Sequence, residues 1–393
     1  MTVSIALSGK PNTGKSTFFK AATLVDVEIA NYPFTTVGAN LGITYVRVPC
    51  PCTGLRVKCG NCIKGARFVP VELIDVAGLV PEAHKGKGLG NAFLDNIRQS
   101  EAIINVIDAS GGTDIDGNPI GVGMRDPLED VDFLHHEITM WLFGIILKNW
   151  NRLARKSQSE EKIEHLLAVQ LAGTNVNERE IKSSIIKLGL SNKPSNWTEA
   201  DLLNFSHEIR KISKPMIVAA NKKDIAPVQN LQRLLALSDY IVLTSAEAEL
   251  ALRVAHKNGL IDYIPGDTYF NIISSVNEQQ RKGLEKISKL IAKEGTGVQT
   301  CINSAVFDVL DYIVVYPVED ENKLTDSYGN VLPDAFLMKK GQTVKDLAYR
   351  VHTDIGKGFL YAIDVRSKKR LGENYVLSND DVIKITSSTK HKK

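Results

Sequence analysis

Short apolar runs recur along the chain, separated by turn-forming or charged clusters. Residues 3–7, 40–48, 68–74, 102–108, 215–220 and 240–244 alternate or run apolar and β-branched, which predicts strands. Apolar residues at helical spacing predict helices over 17–24, 92–99, 131–153, 157–172, 177–189, 198–212 and 228–236. Residues 248–310 are also mostly helical in pattern, with a turn at 264–267. No strand pattern interrupts the helices between 127 and 213, so that stretch reads as a helical insertion in an otherwise alternating α/β order. Near residue 312 the pattern changes again: short strands at 313–318, 336–337, 361–365 and 382–386 enclose one helix at 344–355. This last part is an α+β module of about 75 residues, long enough to fold by itself.

The expected layout is therefore an α/β domain formed by 1–126 and 214–310, in which 250–310 is a mostly helical extension. Residues 127–213 are the helical insertion, 311–388 the C-terminal module and 389–393 a basic tail. A length of 393 residues leaves room for two or three domains, and 43% apolar with 24% charged residues is ordinary for a globular protein. The formal net charge of +3 is too small to create a strong nucleic-acid field, and DNA is not an expected partner. The first seven residues lack the charged start of a signal peptide, and no stretch approaches 18 apolar residues. The expectation is a cytoplasmic protein with no membrane partner.

The first chemical signal lies at residues 9–17, Gly-Lys-Pro-Asn-Thr-Gly-Lys-Ser-Thr, between a predicted strand and a predicted helix. This fits G-x-x-x-x-G-K-[ST], with Gly9, Gly14, Lys15 and Ser16 in the defining positions, and Lys10, Pro11, Asn12, Thr13 and Thr17 completing the loop. The glycines let successive N–H groups face one anion, Lys15 reaches the β- and γ-phosphates, and the Ser16 hydroxyl is a Mg²⁺ ligand. The strand at 68–74 runs into Asp75-Val76-Ala77-Gly78, a D-x-x-G arrangement. There Asp75 can hold Mg²⁺ through water, and the Gly78 N–H can sense the γ-phosphate. The strand at 215–220 ends in Asn221-Lys222-Lys223-Asp224, and the strand at 240–244 leads to Ser245-Ala246-Glu247.

The Asn221–Asp224 chemistry favours guanine. The Asp224 carboxylate can accept from N1–H and the 2-amino group together, whereas adenine offers neither donor and would leave the carboxylate unpaired. Asn221 can brace the loop or contact N7, the Lys222 stem can lie along the purine, and the Ala246 N–H can meet O6.

These four motifs in this order resemble the translation-factor-type P-loop GTPases. Tyr32-Pro33-Phe34-Thr35-Thr36 and the run Gly78-Leu79 to Gly90-Asn91 resemble the Obg superfamily. A helical insertion followed by a β-grasp module is similar to its YchF branch, the Obg-like ATPases, and the C-terminal module resembles the TGS domain. The resemblance covers essentially the whole chain and implies a Ras-like P-loop fold with a TGS-like β-grasp domain. It further implies Thr36 as the second Mg²⁺ ligand, and Phe34, Thr35, Val37 and Gly38 around the nucleotide. Leu79 stands where Ras-like enzymes carry a water-orienting Gln, which leaves His84 as a candidate against a plain surface-loop residue. Asn12 matches an Asn whose amide oxygen binds K⁺ in related GTPases with a hydrophobic residue in place of the Gln, or else it only hydrogen-bonds the loop. Familiar YchF members have lost N-K-x-D and act on ATP. This chain keeps it and is expected to prefer GTP, with ATP as the alternative.

The resemblance also implies a GTP/GDP switch that engages the ribosome or structured RNA. Lys339, Lys340, Lys345, Arg350, Arg366, Lys368, Lys369 and Arg370 put basic groups on the C-terminal module, although a solvated face explains them equally well. A metabolic kinase would leave the guanine motifs unexplained, and an RNA- or ribosome-binding module with vestigial hydrolysis is the other alternative. Finally, Cys50-x-Cys52 and Cys59-x-x-Cys62 lie in a Gly/Pro-rich excursion between two predicted strands. A Zn²⁺ knuckle, two disulfides and free thiols are the three readings, while Cys301 reads as a core residue.

Overall fold

The computed structural model describes residues 2–24, 41–76, 96–158, 161–237 and 240–388. Phe34–Gly38, Gly78, Leu79 and His84, together with the 389–393 tail, lie outside the described residues. The chain forms two compact units: 2–24, 41–44 and 71–305 fall in the first, and 45–70 and 306–388 in the second.

Six strands, β1 (Ser4–Ser8), β2 (Leu41–Pro49), β3 (Ala66–Asp75), β4 (Ala102–Asp108), β5 (Met216–Asn221) and β6 (Ile241–Leu243), form a sheet in the order β2-β3-β1-β4-β5-β6; residues 45–49 of β2 and 66–70 of β3 fall in the second unit and the rest of the sheet in the first. β1 runs parallel to β3 and β4, and β5 runs parallel to β4 and β6. β1 and β4 are buried at every position, as strands covered on both faces must be. Register places Leu7 opposite Asp75 and Asp108 opposite Asn221, so the carboxyl ends of neighbouring strands present the chemistry-bearing residues together.

The helices of the insertion are Leu128–Leu147, Trp150–Lys156, Ile163–Gln170, Glu178–Lys187 and Glu199–Ser213. Asn177 with Glu180, and Thr198 with Asp201, form capping boxes that satisfy the first N–H groups of two of them. The single helix expected over 131–153 is two: Asn149, at φ −127° and ψ 13°, leaves the helical region. The insertion does not have a core of its own. Ile138, Leu142, Leu167, Phe205 and Ile209 bury into one cluster with Ala6 and Ile103 of the sheet, and Trp197 stacks on Trp150 at 5.1 Å. Beyond the insertion come the helices Val228–Leu235, Ala246–Lys257, Glu278–Ile291 and Val298–Ser304. The stretch expected to be mostly helical also contains a small antiparallel ladder, β7 (Ile261–Asp262) with β8 (Asn271–Ile272). Cys301 is fully buried in the helix Val298–Ser304.

The second unit holds β9 (Tyr312–Val318), β10 (Phe336–Lys339), β11 (Phe359–Asp364), β12 (Arg370–Leu371) and β13 (Val382–Ser387) in the order β10-β9-β13-β11-β12. β13 is parallel to β9 and the other pairs are antiparallel. The helix Val344–Val351 packs Val344 and Leu347 on Ile313, Val315, Ala362 and Ile383. The helix expected over 344–355 breaks at His352, whose extended backbone (φ −163°) and ring nitrogen cap a second helix, Thr353–Lys357. The two-residue strand β12 is too short to give a sequence pattern.

Candidate functional site

The phosphate loop leaves β1 and enters the helix Lys15–Thr23 through Gly14, which holds a left-handed φ of 92°. That conformation and the space around it both demand glycine: a Cβ on Gly14 would stand 2.2 Å from Asn221 Nδ2, and one on Gly9 would stand 2.4 Å from the Val106 carbonyl. Asn12 is also left-handed, at φ 60°. Its Nδ2 donates to the Gly117 carbonyl at 2.9 Å, so the 110–125 segment braces the loop from outside. Lys10 is buried and makes a 2.5 Å ion pair with buried Asp130, which Arg125 also approaches at 3.4 Å. Burial raises the Asp130 pKa against the opposing pull of Lys10. Ser16 and Pro11 are exposed, while Thr13 is buried with its hydroxyl donating to the Lys10 carbonyl at 3.0 Å.

Lys15 Nζ makes an ion pair with Asp75 at the end of β3. This joins the first two motifs: the ammonium that would meet phosphate and the carboxylate that would sit in a Mg²⁺ shell are within direct contact. The site is thus charged and matched before any nucleotide chemistry is invoked.

The base side is built by Asn221. Its Nδ2 donates to the Thr13 carbonyl at 2.9 Å, and its Oδ1 accepts from the Ala246 N–H at 2.9 Å and from Thr244 Oγ1 at 3.3 Å. One side chain therefore ties the phosphate loop, the Asn221–Asp224 turn and the Ser245–Ala246 turn together. Asp224 is exposed, and its carboxylate accepts from Ser245 Oγ at 2.8 Å. Ser245 caps the helix Ala246–Lys257 by accepting from the Ala248 N–H, and Glu247 is exposed in the first turn. Lys222 adopts a left-handed φ of 64°, and its Nζ lies 2.7 Å from Asp108.

Three supporting elements escape sequence reading. Buried Asp108 anchors Lys222 and accepts from the Ser110 N–H and hydroxyl at 3.0 and 2.5 Å. Residues 295–297, Gly-Thr-Gly, back the base-side loops: Thr296 O accepts from the Ser245 N–H at 2.8 Å, and Gly295 O accepts from Lys223 Nζ at 2.7 Å. A Cβ on Gly297 would stand 2.0 Å from the Leu243 carbonyl. Buried Glu249 then holds Thr296 Oγ1, Tyr263 Oη and Arg253 Nε at 2.5, 2.8 and 2.7 Å. The Gly-Thr-Gly tripeptide was the available signal for this element.

In the second unit, most of the basic groups singled out in the sequence have partners. Lys345 pairs with Glu373 at 2.5 Å, Lys340 with Asp311 at 3.5 Å, and Arg366 with Asp380. Arg370 lies 3.7 Å over the Tyr361 ring, and Lys368 donates to the Glu321 carbonyl at 2.6 Å. The four cysteine sulfurs of Cys50, Cys52, Cys59 and Cys62 lie within 4.8 Å of one another, a donor set able to hold a metal ion. Among the described residues, no helix is long and apolar enough to cross a membrane.

Known proteins share this chain's domains and fold. A family model for 50S ribosome-binding GTPases matches residues 4–132, the Obg-like GTPase YGR210-like, G4 motif-containing domain matches 219–320, and the TGS domain matches 328–387. An uncharacterized GTP-binding protein of Methanocaldococcus jannaschii is 54% identical over 98% of this chain and 99% of its own length. The ribosome-binding ATPase YchF of Bacillus subtilis is 27% identical over 98% of both chains. The crystal structure of a GTP binding protein from Pyrococcus horikoshii superposes with a TM-score of 0.78 at 41% identity, covering 98% of this chain and all of that one. The Schizosaccharomyces pombe YchF GTPase, 17% identical with a TM-score of 0.60, covers 98% of each chain and shares the fold. With its P-loop, its Asn221–Asp224 turn and its TGS domain, the chain belongs to the YchF branch of the Obg-like P-loop GTPases.

Proposed function

We propose that this protein is a Mg²⁺-dependent GTP switch that hydrolyses GTP to GDP and phosphate and engages the ribosome or structured RNA according to the nucleotide bound. The observation that carries the guanine assignment is Asp224, exposed beside the nucleotide loops and oriented by the 2.8 Å bond from Ser245. A carboxylate held there accepts the two guanine donors, whereas the Ala246 N–H, expected to meet O6, donates to Asn221 Oδ1 instead. Adenine offers Asp224 neither of these donors, so both base-specific hydrogen bonds would be forgone. Relatives named ATPases support the competing ATP reading. Retention of Asp224 argues against it for this chain.

For hydrolysis, the Ser16 hydroxyl and the Asp75 carboxylate are hard oxygen donors of the kind Mg²⁺ takes, with Thr36 as the third candidate. Mg²⁺ bound by them would neutralise charge developing between the β- and γ-phosphates. Lys15 would move from Asp75 to the phosphates, and Gly14 at the helix start would aim N–H groups at the same oxygens. Asn12 has its amide plane fixed by the Gly117 carbonyl, which supports its oxygen as a K⁺ ligand. Equal rates in KCl and NaCl would remove that role. Phosphate release from GTP, abolished by Lys15→Ala, tests hydrolysis itself.

The ribosomal assignment rests on relatives named for ribosome binding and on the TGS domain. Because so many of its basic groups are paired within the domain, recognition would depend more on shape than on a cationic field. Cosedimentation with ribosomes should differ between GTP- and GDP-loaded protein. Equal binding would favour the reading in which hydrolysis is vestigial.

A further inference from the structure

The segment from Cys50 to Gly65 has little apolar material with which to fold. Thr53, Gly54, Arg56, Lys58, Gly60, Asn61, Ile63 and Lys64 are exposed, whereas Cys50, Cys52 and Cys59 are buried. What lies inside this loop is sulfur. Arg56, Gly60, Lys64 and Gly65 adopt left-handed φ values of 55°, 70°, 48° and 83°, and these tight turns fold the chain back so that all four thiols converge. Cys50 Sγ stands 3.7 Å from Cys59 Sγ, and Cys52 Sγ stands 3.6 Å from Cys62 Sγ. No disulfide joins these sulfurs in this arrangement. A tetrahedron of sulfurs with metal–sulfur bonds of about 2.3 Å has edges of about 3.8 Å; two of the separations match this at 3.7 and 3.6 Å, and all lie within 4.8 Å. The Asn61 N–H points at Cys59 Sγ at 3.4 Å, a donor that stabilises a thiolate ligand.

The same loop is fastened to the C-terminal module within the second unit. Asn61 Nδ2 donates to the Val331 and Leu332 carbonyls at 3.3 and 3.2 Å, and Arg67 Nη2 donates to the Pro333 carbonyl at 2.9 Å. Asn61 lies between two of the converging cysteines, so its position depends on how they are held.

We propose that Cys50, Cys52, Cys59 and Cys62 bind one Zn²⁺ as a tetrahedral thiolate site, and that this ion sets the knuckle whose Asn61, with Arg67 of the adjoining β3, fastens onto the 331–333 backbone of the TGS domain. Binding takes up one Zn²⁺ and releases the thiol protons. Zinc fits better than the alternatives because it is redox-inert, prefers four thiolates and needs no geometry other than the one present.

The test uses the full chain, purified without a metal-affinity resin. Elemental analysis should give about one zinc per chain, with the four thiols blocked to a thiol reagent until a chelator is added. Cobalt added to the chelated protein should give the visible d–d bands of a tetrahedral thiolate site. Cys59→Ser combined with Cys62→Ser should lose the zinc while guanine-nucleotide binding stays within about twofold of the parent, reported by a fluorescent analogue. Removing zinc from the unmutated chain should speed amide exchange in both 50–65 and 331–333. Iron in place of zinc, no metal with four freely reactive thiols, or zinc retained by the double variant would each overturn the site. Faster exchange confined to 50–65 would overturn its role in fastening the TGS domain.

Discussion

Asn221 Nδ2 donates to the Thr13 carbonyl at 2.9 Å and occupies the space that a Cβ on Gly14 would need, 2.2 Å away. Asn221 and Thr13 lie 208 positions apart in sequence, and their contact ties the Asn221–Asp224 turn to the 9–17 loop. Asn221→Ala removes the donor to Thr13 and the acceptor for Ala246, leaving buried groups unpaired at a cost of about 2–3 kcal/mol. GTP and ATP affinities should then fall together, because no base-specific group is lost. A loss confined to GTP would show that Asn221 reads the base directly. Gly14→Ala should lose binding of both nucleotides through the same clash.

Lys15 and Asp75 form the second relationship on which the site depends. Asp75→Ala should weaken Mg²⁺-dependent binding of GTP while leaving GDP binding without Mg²⁺ close to that of the parent. Titration calorimetry with and without Mg²⁺ checks this. An equal loss in both conditions would assign Asp75 to holding the loop.

The Lys10–Asp130 pair is almost wholly buried, with side-chain exposures of 3% and 6%. Asp130→Ala strands a buried ammonium and should destabilise the fold by about 3–5 kcal/mol. Lys10→Met with Asp130→Leu should recover most of that loss, because the ammonium is no longer stranded and Arg125 keeps Glu129 as its partner at 2.9 Å. Urea unfolding of the two variants measures the difference. If the double variant is no better than Asp130→Ala, the pair is needed as a pair.

Lys214 is fully buried and donates to the Arg98 and Ser100 carbonyls at 3.1 and 2.6 Å. Burial lowers its pKa from the usual 10.5 to about 8. Between those values the unfolded chain holds a proton that the folded chain has released, so stability from this group rises with pH through that window. The neutral amine still offers two N–H donors for the two carbonyls. Relative to Lys214→Met, the unmutated protein should gain up to about 3 kcal/mol between pH 8 and pH 10.5. A difference between the two that stays flat across that range would contradict the burial effect.

The P-loop, D-x-x-G, N-K-x-D and Ser-Ala motifs were legible because each is a local arrangement whose residue types follow from the chemistry of a phosphate or a purine. The Ras-like P-loop fold and the β-grasp-like module followed from where the strands fell and from the resemblance those motifs carried, while the strand order came only from the structure. Asp108, Glu249 and Thr296 were not legible. Their contribution is to hold Lys222 and Ser245 through bonds that span long stretches of chain. The helix breaks at Asn149 and His352 were also missed, since apolar periodicity continues across both while the backbone does not. The cysteine spacing suggested a knuckle, but only the folded loop shows Asn61 on the TGS backbone.

The proposed preference for guanine rests on Asp224. The most direct test is the affinity of the unmutated chain and of Asp224→Ala for GTP and ATP, measured side by side in Mg²⁺. GTP should bind at least about 100-fold more tightly than ATP, and Asp224→Ala should remove most of that difference by weakening GTP alone. Equal affinities for GTP and ATP in the unmutated chain would contradict that preference.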